Sequence, residues 1–209
     1  NFDPYYDVAI KRRNLTDLQA SDRFRLIEGD IRDPQAVEEA FTAEGPVDGV
    51  IHLAARAGVR PSIEQPVDYA TTNVEGTVNL LEAARRHEVG RFVFGSSSSV
   101  YGASNTVPFS EDQPTDRPIS PYAATKIAGE ALCYTWHHLY GMPMVVLRFF
   151  TVFGPRQRPD LAINKFVRLL EADEPIPQFG DGSSSRDYTF VADIARGILA
   201  ALNSDLGYE

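Results

Sequence analysis

Apolar and polar positions along the chain follow two periods in alternation. FRLIEG (24–29) and VDGVIHLAA (47–55) read as extended segments, the second nearly continuous in its apolar residues, as strands buried on both faces are. Between them PQAVEEAFTAEG (34–45) has helical spacing with Pro34 at its start. A longer helix is expected near 66–88, where Val74, Val78, Leu81 and Ala84 recur on one face. RFVFGSS (91–97) is the next strand. SPYAATKIAGEALCYTWHHLYG (120–141) follows as a helix capped by Ser120 and ended by Gly141, and MPMVVLRFF (142–150) as another strand. Strands alternating with helices predict an α/β fold, a doubly wound parallel sheet with crossover helices. Beyond Gly154 the texture changes: GPRQRPD reads as a loop, AINKFVRLLEAD as a helix and QFGDGSSSRDYTFV as a turn between short extended pieces. There is no internal repeat.

Composition narrows the classes of function. The 209 residues are 43% hydrophobic and 11% aromatic, ample for a core. A net charge of −9 argues against a nucleic-acid partner, since the phosphate backbone selects for surplus Lys and Arg, so any anionic ligand must be caught by a few placed arginines. No apolar run reaches membrane-spanning length, and the lone Cys133 fits a reducing, cytoplasmic setting without an internal disulfide. The four histidines lack metal-ligand spacing, with His137 and His138 adjacent on a helix and His52 and His87 on other elements, so no metal is expected. The chain opens at Asn1, its last helical stretch stops without a clear finish, and no G-x-G-x-x-G turn occurs, so it reads as an internal fragment of a longer chain.

The segment GSSSSVYG (95–102) has the composition of a linker, yet it continues directly from the apolar RFVF. In a doubly wound sheet the carboxyl ends of the strands are where ligands bind. Downstream, Tyr122 and Lys126 lie one helical turn apart on one face. A free phenol, with a pKa of about 10, is a weak base at neutral pH, and a neighbouring ammonium favours its ionised form. Such a pair can take a proton from an alcohol or sugar hydroxyl. An exposed i,i+4 pair without a role has the same spacing, and it is the Ser-rich strand end upstream that favours the chemical reading.

SSSSVYG, YAATK, HLAARAGVR (52–60), NVEGTVNLLEA (73–83) and RDYTFVADIA (186–195), in this order, resemble the extended short-chain dehydrogenase/reductase family. Within it they are similar to the nucleotide-sugar epimerases. NFDPYYDV at the start and RFFTVFGPRQRPD (148–160) resemble most nearly the UDP-glucuronate 4-epimerase group. The resemblance implies a Rossmann-like sheet, incomplete at the amino end, with 1–153 as a partial NAD-binding domain and 154–209 as part of a small substrate-binding region, where 191–203 forms a helix packing back on the core. It implies NAD as cofactor, a UDP-sugar as substrate, and a homodimer built on the helices near 66–88 and 120–141. The activity implied is 4-epimerisation through a 4-keto intermediate, most nearly UDP-glucuronate to UDP-galacturonate. A 4-epimerase of UDP-glucose or a UDP-N-acetylhexosamine, and a non-catalytic nucleotide-sugar-binding chain, are the alternatives.

Carried over by position, the resemblance makes Tyr122 the base, Lys126 the residue that tunes it and holds the nicotinamide ribose, and Ser97 the third catalytic group. Asp30 and Ile31 would flank the adenine, Leu53, Ala54 and Ala55 would pass close to the pyrophosphate and ribose, Ser96 and Phe149 would line the rest of the cofactor, and Asn73, also counted with the cofactor set, would tie the active-site backbone together. Simple strand packing is the alternative for Leu53 to Ala55, and an exposed helix polar group is the alternative for Asn73. On the substrate side the set is Ser98, Thr151, Arg158, Gln178, Phe179, Arg186 and Arg60, with Arg158 at the glucuronate carboxylate, Gln178 and Phe179 at the uracil and Arg186 near the phosphates. Arg158 also reads as a solvated loop arginine, and Phe179 as a core residue. Dehydratases of the family carry acidic residues at the two positions after the catalytic hydroxyl, and the decarboxylases carry a Glu at the second. Ser98 and Ser99 occupy those positions here, which favours epimerisation over elimination.

Overall fold

The computed structural model describes residues 1–103, 106–178, 180–183 and 185–209. Two compact units result, one comprising Asn1–Glu28 with Phe150–Ala195, the other Gly29–Phe149 with Arg196–Glu209.

The second unit is a parallel sheet with helices. Strand β1 (Gly49–His52) pairs with β2 (Arg91–Ser97), which pairs with β3 (Met144–Phe149), in the spatial order β1-β2-β3. The register sets Ser96 opposite Arg148 and Ser97 opposite Phe149. Helix α3 (Pro34–Thr42) starts where the Asp33 side chain accepts from the Gln35 amide at 2.9 Å. Phe92 and Phe94 of β2 and Met144 of β3 form one core with Val37 and Phe41 of α3, with Leu81, Ala83 and Ala84 of α6 (Gly76–Arg86) and with Cys133 of α7 (Pro121–Tyr140). Val93, on the other face of β2, is also fully buried, so both faces of that strand are covered. The end of the chain lies along β3, with the Met144 amide donating to Gly207 O at 2.9 Å and the Val146 amide to Glu209 O at 2.8 Å. Helix α9 (Val191–Leu202) brings Leu202 against Gly49, where a Cβ would lie 2.7 Å from its side chain.

Helix α7 forms where capping residues bound it: Ser120 accepts from the Ala123 amide at 3.1 Å, Pro121 opens the first turn, and Gly141 turns left-handed at φ 67°. In the other unit α1 (Val8–Asn14) and α2 (Thr16–Gln19) precede β4 (Thr151–Phe153), which pairs in parallel with β5 (Tyr188–Phe190), and α8 (Ala162–Glu171) lies between these strands in sequence.

Three expectations are corrected. The strand read over 47–55 is confined to Gly49–His52 and is not buried on both faces, because among the described residues β1 is paired on one side only: His52 is buried while Ile51 is 39% exposed. Residues 24–29 form no strand: a strand needs a ladder, β1 pairs only with β2, and no ladder reaches 24–29 among the described residues. Glu28 instead pairs with Arg12, Nη1 to Oε1 at 3.0 Å. The single helix near 66–88 is divided into α5 (Pro66–Ala70), a π-helical turn over Thr71–Glu75 and α6, preceded by the short α4 (Val59–Glu64). The wider turn coincides with buried Asn73, whose side chain bonds outside the helix.

Candidate active site

The carboxyl end of β2 is where side chains from several segments meet. Lys126, one turn along α7 from Tyr122, is only 5% exposed and donates from Nζ to Gly95 O at 2.6 Å. This bond holds the first half of α7 against the strand two residues before Ser97. Burial pushes the Lys126 ammonium down to about 8, against the opposing pull of Cys133 and Glu130. Its charge also lies 4.9 Å from the centre of the Phe94 ring. Close approach of α7 depends on Gly129, where a Cβ would collide with the Phe94 ring.

Ser97 is buried, and its hydroxyl accepts from the Ser99 amide at 3.2 Å, capping the 3₁₀ turn Ser98–Tyr101. Ser98 and Ser99 are half-buried beyond it. Tyr122, also half-buried, meets Tyr69 edge-on with ring centres 6.2 Å apart, and the Tyr69 hydroxyl donates to Ala57 O at 3.1 Å. Asn73 is a tie rather than an exposed polar group. Its Oδ1 accepts from the Arg56 amide at 2.7 Å, and its Nδ2 donates to Arg56 O and to Thr125 Oγ1, both at 3.0 Å. Thr125 Oγ1 donates in turn to Tyr122 O at 2.8 Å. Thr77 Oγ1 donates to Asn73 O at 2.6 Å, so it accepts from His52 Nε2, 2.9 Å away. The network thereby assigns the proton of His52 to Nε2 and leaves Nδ1 an unpaired buried acceptor. Burial, then Lys126, pushes His52 down to about 3, and the ring is neutral at ordinary pH.

Of the cofactor candidates, Leu53 and Phe149 meet at this strand end. Leu53 is 52% exposed. Ala54 is exposed and Ala55 half-buried. Gly95 has no Cβ where one would lie 2.8 Å from Leu53 and 3.1 Å from Phe149, so the glycine lets these two candidates close on the strand end. Ile31 packs on Gly76, and its carbonyl accepts from Asn79 Nδ2 at 2.9 Å. The Asp30 carboxylate is held by Arg32, Nη2 to Oδ2 at 2.8 Å. Ser96 turns its hydroxyl to Glu130 of α7. Arg60, on α4, is exposed.

The remaining substrate candidates belong to the other unit. Thr151 sits on β4 opposite Tyr188. Arg158 closes its fork on Asp160, Nε to Oδ1 at 2.8 Å and Nη2 to Oδ2 at 2.7 Å, and stacks over the Tyr5 ring at 5.1 Å. The pairing makes Arg158 more than a solvated loop residue. Asp160 is held below the ordinary carboxylate range by Arg158, although burial works the other way. Gln178 and Arg186 are exposed and bond to nearby carbonyls, of Gly180 at 3.4 Å and Ser185 at 2.8 Å. Phe179 lies outside the described residues.

Tyr69, Thr125, Glu130 and Arg148 were not singled out by sequence. A signal existed for Glu130 alone, because it stands one more turn along the Tyr122 and Lys126 stripe.

The family model described as "NAD dependent epimerase/dehydratase family" matches residues 4–208. A UDP-glucuronate 4-epimerase from Thermodesulfobacterium geofontis is 46% identical over 209 residues, covering all of this chain and 64% of that protein. Among solved structures, the UDP-glucuronic acid 4-epimerase from Bacillus cereus in complex with UDP-glucuronic acid and NAD superposes with a TM-score of 0.87 at 38% identity, over 96% of this chain and 63% of that one. A dTDP-glucose 4,6-dehydratase from Streptomyces venezuelae with NAD bound gives 0.86 at 34% identity, over 94% and 60%. The chain thus spans less than two thirds of the length of these relatives.

Proposed function

From the premise that the chain belongs to the NAD-dependent epimerase/dehydratase family, we propose that it is part of a nucleotide-sugar 4-epimerase converting UDP-glucuronate to UDP-galacturonate through a 4-keto sugar. The observation that carries this reading is the buried Lys126, fixed to Gly95 O at 2.6 Å one turn from Tyr122, beside the strand end bearing Ser97. With that anchor Tyr122 takes the proton of the sugar 4-hydroxyl and later returns it, while Ser97 donates to the same oxygen. The Lys126 charge favours the ionised phenol.

The residues around the carboxyl ends of the strands fit NAD: exposed Leu53 and Ala54 after β1, Phe149 at the end of β3, and Gly95 of β2 between them, which leaves room for a close approach. When bound, NAD supplies a reversible hydride acceptor for the sugar C4. Leu53, Ala54 and Ala55 would pass along its pyrophosphate and ribose, with Phe149 beside them and Ser96 contributing backbone because its hydroxyl is engaged by Glu130. Asn73 would act by holding the Arg56 backbone, and Asp30 and Ile31 would lie at the adenine. In this assignment 1–153 is the partial NAD-binding domain, which also lends Ser98, Arg60 and Thr151 to the substrate set, and 154–209 is the partial substrate-binding region. Gln178, Phe179 and Arg186 complete the set, and Arg158 receives the carboxylate.

The backbone likeness extends to dehydratases and epimerases alike, so side chains must separate them. Ser98 and Ser99 lack a carboxyl group to expel water, which supports epimerisation. A neutral UDP-hexose is a second reading, favoured by the closure of Arg158 on Asp160. No helix among the described residues is long and apolar enough to cross a membrane. A cytoplasmic homodimer is part of the proposal, supported by the free Cys133 and by the exposed Val67, Tyr134 and Leu139 on α5 and α7.

The test is product analysis after the full-length protein is incubated with NAD and either UDP-glucuronate or UDP-glucose. UDP-galacturonate is expected from the first. A 4-keto pentose product would overturn the reading of Ser98 and Ser99, and turnover of UDP-glucose alone would select the second reading.

A further inference from the structure

One carboxylate joins three pieces of the fold next to the proposed catalytic serine. Glu130 stands on α7 one turn beyond Lys126. Its Oε1 accepts from the Ser96 hydroxyl of β2, and its two oxygens accept the Arg148 fork of β3, from Nε at 3.1 Å and Nη2 at 2.9 Å. Ser96 and Arg148 are direct partners in the β2–β3 register, and the next pair along is Ser97 with Phe149. The Arg148 guanidinium continues outward, donating from Nη1 to Tyr101 OH at 3.3 Å and to Glu111 O at 3.1 Å, and lying 5.1 Å over the Tyr101 ring. Tyr101 in turn stacks on Phe109, with ring centres 4.6 Å apart. The pair is secluded, with the Arg148 and Glu130 side chains 21% and 11% exposed.

We infer that Glu130 and Arg148 are a positioning pair, which locks α7 to adjacent strands and to Tyr101 and Glu111 and so fixes Tyr122 and Lys126 relative to Ser97. Stability alone is a poor reason to keep such a pair, because apolar residues of similar volume commonly serve a buried site as well or better. What an apolar pair lacks is direction. A bidentate fork admits one orientation of α7 over the strands, whereas packed methylenes allow it to slide. Proton transfer between Tyr122 and a substrate oxygen is sensitive to displacements of about 1 Å, which cost on the order of 100-fold in rate. The inference rests on the proposed function for its substrate assay, but not for its second readout.

The test uses the full-length protein with NAD. Arg148→Lys keeps the charge and loses the fork. Glu130→Leu/Arg148→Met replaces the pair with apolar volume and leaves no unpaired charge. The double variant is expected to fold with an unfolding midpoint near that of the wild type, to keep KM within about threefold and to lose on the order of 100-fold in kcat. Arg148→Lys is expected to fall between. The second readout is the titration of the Tyr122 phenol, taken as the difference in phenolate absorbance between each protein and its Tyr122→Phe counterpart. It is expected to move to higher pH in both variants as Lys126 loses its fixed place. A folded double variant with kcat within about threefold of wild type and an unmoved phenol titration overturns the inference. If the double variant does not fold, full kcat and an unmoved titration in Arg148→Lys overturn it instead. A wild-type protein that turns over neither UDP-sugar sinks the proposed function, and the phenol titration then decides the positioning role alone.

Discussion

Polar side chains at the end of β2 and those around β4 and β5 are satisfied in opposite ways. In the first region the bonds span long stretches of chain: Asn73 to Thr125, Lys126 to Gly95, Ser96 to Glu130, Arg148 to Tyr101. In the second, many close on residues one or two positions away, as Arg158 does on Asp160, Ser183 on Asp181 and Arg186 on Ser185. One longer-range link, Arg156 to Asp17, is an exposed ion pair of small energetic weight. Long-range buried bonds exist only in one folded arrangement, so they preorganise. Local pairs at the surface can be exchanged for bonds to a ligand at little cost. The contrast suits a division between groups that do chemistry and groups that take hold of whichever nucleotide sugar arrives.

The sharpest way to test the first half is to remove one oxygen. Tyr122→Phe keeps the ring and its edge-on contact with Tyr69, so the fold should be unaffected. Loss of a general acid–base group costs about 10²- to 10⁴-fold, and kcat for epimerisation should fall by that much with an unchanged unfolding curve. A variant retaining a tenth of the activity would remove Tyr122 from the chemistry.

A smaller effect probes how tightly the region is built. Gly→Ala in a helix interior ordinarily gains up to about 1 kcal/mol. At Gly129 the new methyl would enter the Phe94 ring, which is itself fully buried and has no room to retreat. Overpacking of this kind costs about 1–3 kcal/mol. Gly129→Ala should therefore lower the urea midpoint instead of raising it, and a stabilised variant would show that α7 stands off the strand.

The same contrast explains what was legible in the sequence. Helix α7 was readable to its ends because Ser120, Pro121 and Gly141 act on their immediate neighbours. β2 was readable because its apolar run is continuous and it is buried along almost its whole length. Tyr122 and Lys126 were legible because helical spacing is a local rule. Residues 24–29 misled because apolar residues at Phe24 and Leu26 announce a strand while only a ladder makes one. The π turn at Thr71–Glu75, the tie from Asn73 to Thr125 and the bridging of Ser96 and Arg148 by Glu130 involve partners 17 to 52 positions away in sequence, and no local pattern names them. Arg158 was legible as an arginine with an anion to meet, but not that Asp160 is already such an anion.

That last pair gives the weakest and most selective expectation. Arg158→Ala breaks an ion pair whose arginine side chain is 24% and whose aspartate side chain is 39% exposed, so the stability should change by no more than about 1 kcal/mol. Its effect belongs in substrate choice. Because Asp160 competes for the same fork, a substrate carboxylate gains only the difference between two similar bonds. The loss on UDP-glucuronate should be about tenfold in kcat/KM, equivalent to about 1.4 kcal/mol, below the range for an uncontested hydrogen bond to a charged group. UDP-glucose, with no carboxylate to offer, should be turned over by wild type and variant within about twofold of one another. Equal losses on both sugars would assign Arg158 to a part of the nucleotide that the two share. No loss on either would leave the arginine as a partner of Asp160 and Tyr5 without a part in substrate choice, and the carboxylate would then have to be met elsewhere.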